Sequence, residues 1–387
     1  MLRFMFHALC FMRIGIDARM WGEKQTGIGL YIENLTRYLL KIDKQNQYVL
    51  FFKKDFFDSL IFSEQNVRKV LADYHWYSYG EQLFLSRVLK KEKLDIAHFP
   101  NFNAPIFYNG KKIVTIHDMT THDFPGHKSN SGWRKFAFRR VFKNSIEKSD
   151  RVIAVSGATK NQIVENYNIA DSKIKAVYSG LPNQIQSSKS KVQNFSVLSE
   201  QTLKKYNINK PYIFFTGVWR KHKNIVNLIE AFAILRDKYE KNIQLVLGGQ
   251  EDEFYNEPRK VLEKLKLGGD VIVSGFIPKN EMPMFFTNAS VFVFPSFAEG
   301  FGFAPLEAMS YSVPCAVSDI PALRESCGEA ALYFDPHSPE DMASKIALLL
   351  NNENLRKDLI KKGLENIEKY DWIECAKETL EVYNSVL

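Results

Sequence analysis

Val291-Phe292-Val293-Phe294-Pro295-Ser296 is followed by Glu299-Gly300-Phe301-Gly302-Phe303-Ala304-Pro305-Leu306-Glu307-Ala308-Met309, which together read as a strand, a glycine-containing loop and a helix start. Such a loop lets backbone N–H groups approach an anion, and the helix N-terminus adds partial positive charge there. Glu299 and Glu307 flank the loop with seven residues between them. Carboxylates repel phosphate, so they read as acceptors for hydroxyl groups around it. A diphosphate cradle bordered by hydroxyl acceptors suits a nucleotide sugar.

The same strand–loop–helix unit recurs along the chain. Strand-like runs in the first half are Ile14–Asp17, Tyr48–Phe52, Asp95–Phe99, Ile113–His117, Val152–Ser156 and Ile174–Tyr178. Those of the second half are Tyr212–Thr216, Gln244–Leu247, Val271–Ser274, Val291–Phe294, Pro314–Val317 and Ala331–Phe334. Several are continuous Val/Ile/Phe runs, as parallel strands covered on both faces require. Helical spacing lies between them, as in Ile28, Ile32, Leu35 and Leu39, and in Ile225, Leu228, Ile229, Phe232 and Leu235. Repeated β-α units form doubly wound sheets. The expected architecture is α/β, with two Rossmann-like doubly wound domains facing across a cleft. Residues 12–183 form the N-terminal domain and 184–205 a linker, since Gln184 to Val192 is rich in Ser, Gln and Lys without an aromatic. Residues 206–368 form the C-terminal domain, and a final helix in 369–387 packs back toward the first.

Composition agrees with that reading. The 387 residues exceed one typical domain, and an apolar fraction of 45% with 30 Phe fills two cores. Four cysteines, Cys10, Cys315, Cys327 and Cys375, form no C-x-x-C pair and read as reduced thiols of a cytoplasmic protein, with no zinc site. No stretch approaches the about 20 apolar residues of a membrane span. The apolar Met1 to Met12 is short and broken by Arg3 and His7. Met12 as the true start is preferred there to a membrane anchor.

A formal charge of +8 implies an anionic partner. Between Lys128 and Arg151 eight Lys/Arg face only Glu147 and Asp150. Lys135, Arg139 and Lys143 recur every four residues, with Phe138, Val141, Phe142 and Ile146 on another face. This helix either rests on an anionic membrane surface through residues 128–151, at the inner face of the plasma membrane, or docks its Phe side chains in the core as an ordinary surface helix. Nucleic acid is not expected as a partner, because no binding module accompanies the charge.

Ligands of doubly wound sheets bind beyond the carboxyl ends of the strands, so the loops there carry the chemistry. Asp17-Ala18-Arg19 and Thr26-Gly27-Ile28-Gly29 follow the first strand, and Gly29 is read as part of a helix entry suited to an anion or as a tight turn. His117-Asp118 follows the fourth, where the histidine can donate a hydrogen bond or shuttle a proton, or the pair can be a core His beside a helix-capping Asp. Ser156 reads as a helix cap. Gly217-Val218-Trp219-Arg220-Lys221-His222-Lys223-Asn224 places cations where a diphosphate leaving group would sit. The backbone of Gly275-Phe276-Ile277-Pro278 can meet a base edge.

With these residues in view, the chain resembles retaining glycosyltransferases of family 4 with the GT-B fold, over nearly its whole length from Met12. The resemblance rests on Ile16–Arg19, Thr26–Tyr31, Thr115–Asp118, Val155-Ser156, Gly217–Asn224, Pro295-Ser296 and Glu299–Met309. It implies that Arg220 and Lys223 hold the donor diphosphate, Glu299 lies near the transferred sugar, and Glu307 holds ribose hydroxyls. Gly300, Phe301, Gly302 and Phe303 would lie under the phosphates and sugar, His117 near the sugar's C6 side, and Gly29 near the diphosphate and acceptor. Val218 stands where many members carry Arg, so Arg220 substitutes; Ser312 stands where a Gly often precedes Val313-Pro314.

The resemblance also implies transfer with retention, a diphosphate that serves as its own base, and neither metal nor other cofactor. The style of the N-terminal motif is that of mannosyl- and related transferases of bacterial surface polysaccharides. That favours GDP-mannose slightly over UDP sugars, with a glycan or lipid-linked oligosaccharide as acceptor. A UDP-sugar transferase, an epimerase or phosphorylase of the same fold, and a non-catalytic nucleotide-sugar-binding protein are the alternatives. A glycoside hydrolase needs two carboxylates but no phosphate cradle.

Overall fold

The structure is a computed structural model that describes residues 11–22, 26–120, 132–181, 195–239 and 242–387. It divides into two compact units.

The first unit is built on a seven-stranded sheet: β1 (Arg13–Asp17), β2 (Gln47–Phe52), β3 (Val67–Leu71), β4 (Ile96–Phe99), β5 (Lys112–Ile116), β6 (Arg151–Ala154) and β7 (Ile174–Ala176), in the order β3-β2-β1-β4-β5-β6-β7. Every pairing is parallel. β4 and β5 are buried throughout, which is why they carry apolar runs without alternation. β3 is the strand that periodicity misses. Its sequence Val-Arg-Lys-Val-Leu is half polar because it lies at the sheet edge with one side toward solvent.

Residues Asp371–Leu387 cluster with this unit. Asp371 caps the helix Trp372–Asn384 by accepting from the Ile373 and Glu374 amides. Trp372, Cys375, Ala376 and Tyr383 join the core beside β1 and the helix Thr26–Ile42. Tyr383 also meets His98: the phenol oxygen lies 2.7 Å from Nδ1, and Thr115 Oγ1 lies 2.8 Å from Nε2. Burial pushes the His98 imidazole down to about 3, so it is neutral.

The second unit contains β8 (Tyr212–Thr216), β9 (Gln244–Gly248), β10 (Val271–Gly275), β11 (Val291–Phe294), β12 (Cys315–Ser318) and β13 (Ala331–Phe334), in the order β10-β9-β8-β11-β12-β13. These pairings are parallel as well. Both sheets therefore start in the middle, run outward, return and run the other way. The order reverses between β1 and β4 in one unit and between β8 and β11 in the other. At such a switch point two strand-end loops diverge and leave a crevice for ligand. Cys315, Cys327 and Cys375 are buried free thiols.

Part of the expected linker differs. Residues 195–205 form the helix Phe195–Lys205, within the second unit. Residues 182–194 lie outside the described set. Of the basic segment 128–151, residues 128–131 lie outside it too, and Gly132–Lys148 is a helix. Its Phe138 and Phe142 rings pack 5.0 and 5.3 Å from that of Phe102, and Ile146 is fully buried, whereas Phe136 is exposed. One face of the helix therefore docks in the core. Among the described residues no helix is long and apolar enough to cross a membrane.

Candidate functional site

In the second unit the loops after β8 and β11 flank the switch point. After β8 the backbone makes a short 3-10 turn, Lys221–Lys223, which ends at Asn224 with φ +57°. Asparagine tolerates this left-handed conformation better than most residues, and here it turns the chain into the helix Ile225–Lys238. The Asn224 side chain is 2% exposed and uses both amide hydrogens, donating to the carbonyls of Pro295 at 2.9 Å and Pro336 at 2.7 Å. Asn227 donates a second hydrogen bond to Pro336. On the other side of Lys223, the His222 carbonyl accepts from the Phe297 amide at 2.8 Å. The loops after β8, β11 and β13 are thus tied together around one lysine.

Lys223 Nζ lies 2.6 Å from Glu299 Oε1, with both side chains half-buried, and 4.9 Å above the Phe294 ring. This is the pair that the sequence places in separate loops. Burial and the neighbouring Lys223 ammonium push the His222 imidazole down to about 4, so it stays neutral and adds no charge.

Arg220 does not join them. Its side chain is exposed and makes no hydrogen bond or ion pair among the described residues.

The loop after β11 reaches the helix Phe303–Ser310 through Gly302, whose φ is +97°. A Cβ there would collide with Leu323, so the helix entry needs glycine on both counts. Phe301 is buried, its ring 5.0 Å from that of Phe303 and 5.2 Å from that of Tyr370. Its side chain is therefore core, and only its backbone faces the loop; Phe303 is exposed. Glu307 is half-buried in the first turns of that helix, and its carboxylate accepts no hydrogen bond among the described residues. Loss of hydration pushes it up to about 7, with Lys279 opposing.

Farther along the sheet edge, Gly275 has φ +67°, Phe276 is 75% exposed and Ile277 is buried. The sequence expectations omit Gly248, the last residue of β9, and Gly249, which follows it. Gly249 has φ +105°, and a Cβ on it would strike the Gly217 carbonyl. The Gly-Gly pair after an apolar run was the available signal.

In the first unit the switch point is held by an ion cluster. Arg19, almost fully buried, donates Nε and Nη2 to the two Asp17 oxygens, each at 2.7 Å, and Nη2 also to Glu81. Glu81 accepts further from Asn103 Nδ2 and the Tyr77 amide. Glu81 escaped the sequence reading because its contacts are remote in the chain.

His117 Nε2 donates to the Pro100 carbonyl at 2.8 Å, and its ring meets Tyr31 edge-on at 4.8 Å. Asp118 accepts from the Thr120 amide. Ser156 caps the helix Gly157–Tyr167 by accepting from the Thr159 amide. Gly29 is not in the loop: the helix already begins at Thr26, and the Gly29 carbonyl accepts from Gly22.

Comparison with known proteins follows the same division. The family model "Glycosyltransferase Family 4" matches residues 26–184, and "Glycosyl transferases group 1" matches 199–366. O-antigen chain mannosyltransferase B of Escherichia coli is 25% identical over 296 residues, 76% of this chain and 75% of that protein. O-antigen chain mannosyltransferase RfbU of Salmonella typhimurium is 27% identical over 297 residues, 77% of this chain and 75% of that protein. Among solved structures, sucrose-phosphate synthase from Thermosynechococcus elongatus superposes with a TM-score of 0.74 at 18% identity, over 97% of this chain and 99% of that one. Anabaena HepE in complex with UDP-glucose gives 0.73 at 16%, over 97% and 100%. The fold is the two-domain GT-B fold. With its two halves matched in order by the two family models, the chain is a glycosyltransferase made of a Glycosyltransferase Family 4 domain followed by a Glycosyl transferases group 1 domain.

Proposed function

We propose that the protein transfers a hexose from a nucleotide sugar to a hydroxyl of a glycan or lipid-linked oligosaccharide in surface-polysaccharide synthesis, with retention at the anomeric carbon. The observation that carries this is the Lys223–Glu299 pair at the β8/β11 switch point. A diphosphate draws the Lys223 ammonium by charge. Glu299, released from its partner, then accepts hydrogen bonds from hydroxyls of the transferred sugar. The N–H groups around Gly302 and the start of the helix Phe303–Ser310 add positive potential as the leaving group gains charge. Arg220, exposed beside this loop, supplies a second cation to the diphosphate by a side-chain rotation.

Glu307 accepts from the ribose hydroxyls, which replace the hydration its carboxylate lacks. The backbone of Gly275, Phe276 and Ile277 meets the base edge. Gly300, Phe301 and Phe303 contribute backbone and ring surface beneath the sugar. His117, whose ring is held by Pro100 and Tyr31, is assigned to the C6 side of the sugar, and Gly29 to the diphosphate and acceptor. Lysine and arginine take the neutralising role, so no metal or other cofactor is assigned.

GDP-mannose is the preferred donor, because relatives along three quarters of the chain are mannosyltransferases by name. A UDP sugar is the second reading, favoured by the neighbour whose structure holds UDP-glucose. Release of nucleoside diphosphate on adding a glycan acceptor tests the reaction. Release without acceptor, or none with it, contradicts transfer. Thermal stabilisation by GDP and not UDP supports the mannosyl reading, and the reverse overturns it.

A further inference from the structure

The first unit contains a cavity of about 390 Å³ lined by Asn109, Lys111, Lys112, Asn144, Lys148 and Asp150, among others. It lies at the amino ends of β5 and β6, since Lys112 opens β5 and Asp150 precedes β6. His117 follows the opposite end of β5, so this cavity is not part of the site described above.

Lys112 is 4% exposed, yet among the described residues its ammonium has a single acceptor, the Tyr108 carbonyl at 3.0 Å. No carboxylate lies within ion-pair distance of it among the described residues. Asp150, the acidic group of the wall, accepts instead from the Lys112 backbone amide at 2.8 Å. An ammonium carries three donors, and burying it without a counter-charge is unfavourable unless something else answers it. Burial lowers its pKa, with Lys148 and Lys173 adding repulsion and Asp150 opposing. The carbonyl end of the helix Gly132–Lys148 contributes only about half a negative charge. Lys173 already meets part of that by donating to the Glu147 carbonyl. Lys111 is likewise occupied, with its Nζ 2.8 Å from the Val386 carbonyl. Three ammonium groups against one carboxylate leave the wall with an excess of two positive charges, the complement of a phosphate dianion.

We propose that this cavity binds a phosphate group, held by Lys112 and Lys148 with the Asn109 and Asn144 amides. Lysine recognises phosphate as a point charge, and the volume leaves room for whatever the phosphate is esterified to. The source is a soluble phosphomonoester or the headgroup of an anionic lipid. Phe107, exposed next to the wall, suits the second.

The test uses the full chain in a Lys223→Ala background, so that phosphate at the proposed donor site does not contribute. Inorganic phosphate, compared with chloride at equal ionic strength, is expected to raise the melting temperature of Lys223→Ala but not of Lys112→Met/Lys223→Ala. Without phosphate, Lys112→Met should be at least as stable as its parent, because it removes an unanswered buried charge. Lys148→Ala, an exposed change that the fold tolerates, should weaken phosphate by about tenfold. Flotation with phosphatidylcholine vesicles, with and without phosphatidylglycerol, separates the sources. Capture that needs phosphatidylglycerol, needs Lys112 and Lys148, and is competed by phosphate identifies a headgroup; protection by phosphate without capture identifies a soluble ester. Phosphate and vesicle responses unchanged by both Lys112→Met and Lys148→Ala overturn the proposal.

Discussion

Lys223 and Glu299 meet at 2.6 Å because the residues on either side of the lysine are fastened to the loop that carries the glutamate. His222 accepts from Phe297, and Asn224 donates to Pro295. The pair is therefore a property of three tied loops and not of two long side chains that happen to touch. Both side chains are half-buried between these loops, and in the proposed function this is where the donor diphosphate binds.

Removing either member should affect turnover more than folding. Lys223→Ala and Glu299→Ala are each expected to lower kcat/KM by about a hundredfold, the scale for one preorganised group at a developing charge. Melting temperatures should fall by no more than a few degrees. Steady-state release of nucleoside diphosphate reads the effect, and full turnover in both variants contradicts the site.

Asn224 should act on the same rate from behind. Asn224→Gly keeps the left-handed backbone but leaves the Pro295 carbonyl without its donor, at a cost of about 1–3 kcal/mol. Asn224→Asp keeps the shape and replaces two donors by acceptors. Both should lower kcat/KM at least about tenfold in wild type and much less in Lys223→Ala, since residues acting through one another are not additive. Additive losses in the double variants would show that Asn224 supports the fold alone.

Glu307 predicts a pH effect of unusual sign. Burial pushes its carboxyl up to about 7 from the ordinary 4.5, so the folded state holds the proton more tightly than the unfolded one. Its favourable contribution is complete below about pH 4.5 and is lost as the pH rises toward 7. Glu307→Gln should therefore melt higher than wild type at pH 8 and close to it at pH 4.5, while binding nucleoside diphosphate sugars more weakly. Parallel pH–melting curves for the two proteins contradict the assignment.

Tyr383→Phe removes the hydroxyl partner of a buried neutral imidazole, His98 Nδ1. The expected loss is about 1–3 kcal/mol of stability, measured by urea unfolding. Unchanged stability would mean that the hydrogen bond has no net worth.

The fold was legible wherever burial wrote the sequence. β4, β5, β11 and β12 lie inside both faces of their sheets, so each reads as an apolar run. β3 escaped because an edge strand carries Arg68 and Lys69 without cost. The helix Phe195–Lys205 escaped because the Ser- and Lys-rich stretch before it set the local composition. At the site, Lys223 and Glu299 were found from their places after strands, since strand ends are where ligands sit. Arg220 and Lys223 are expected as a pair; Lys223 is half-buried against Glu299, whereas the Arg220 side chain is exposed. Phe301 was expected against the ligand, yet Phe303 and Tyr370 cover its ring. Contacts between residues 71 and 112 positions apart leave no local pattern to read.

Titration calorimetry of GDP and UDP against wild type, Lys223→Ala and Lys221→Ala asks whether Lys223 holds the donor diphosphate. One of the two nucleotides is expected to bind wild type and Lys221→Ala alike, and Lys223→Ala at least about tenfold more weakly, the share of one charge-assisted contact to a phosphate. Equal affinity in all three proteins, or no binding of either nucleotide, would contradict a donor site built on Lys223 and Glu299.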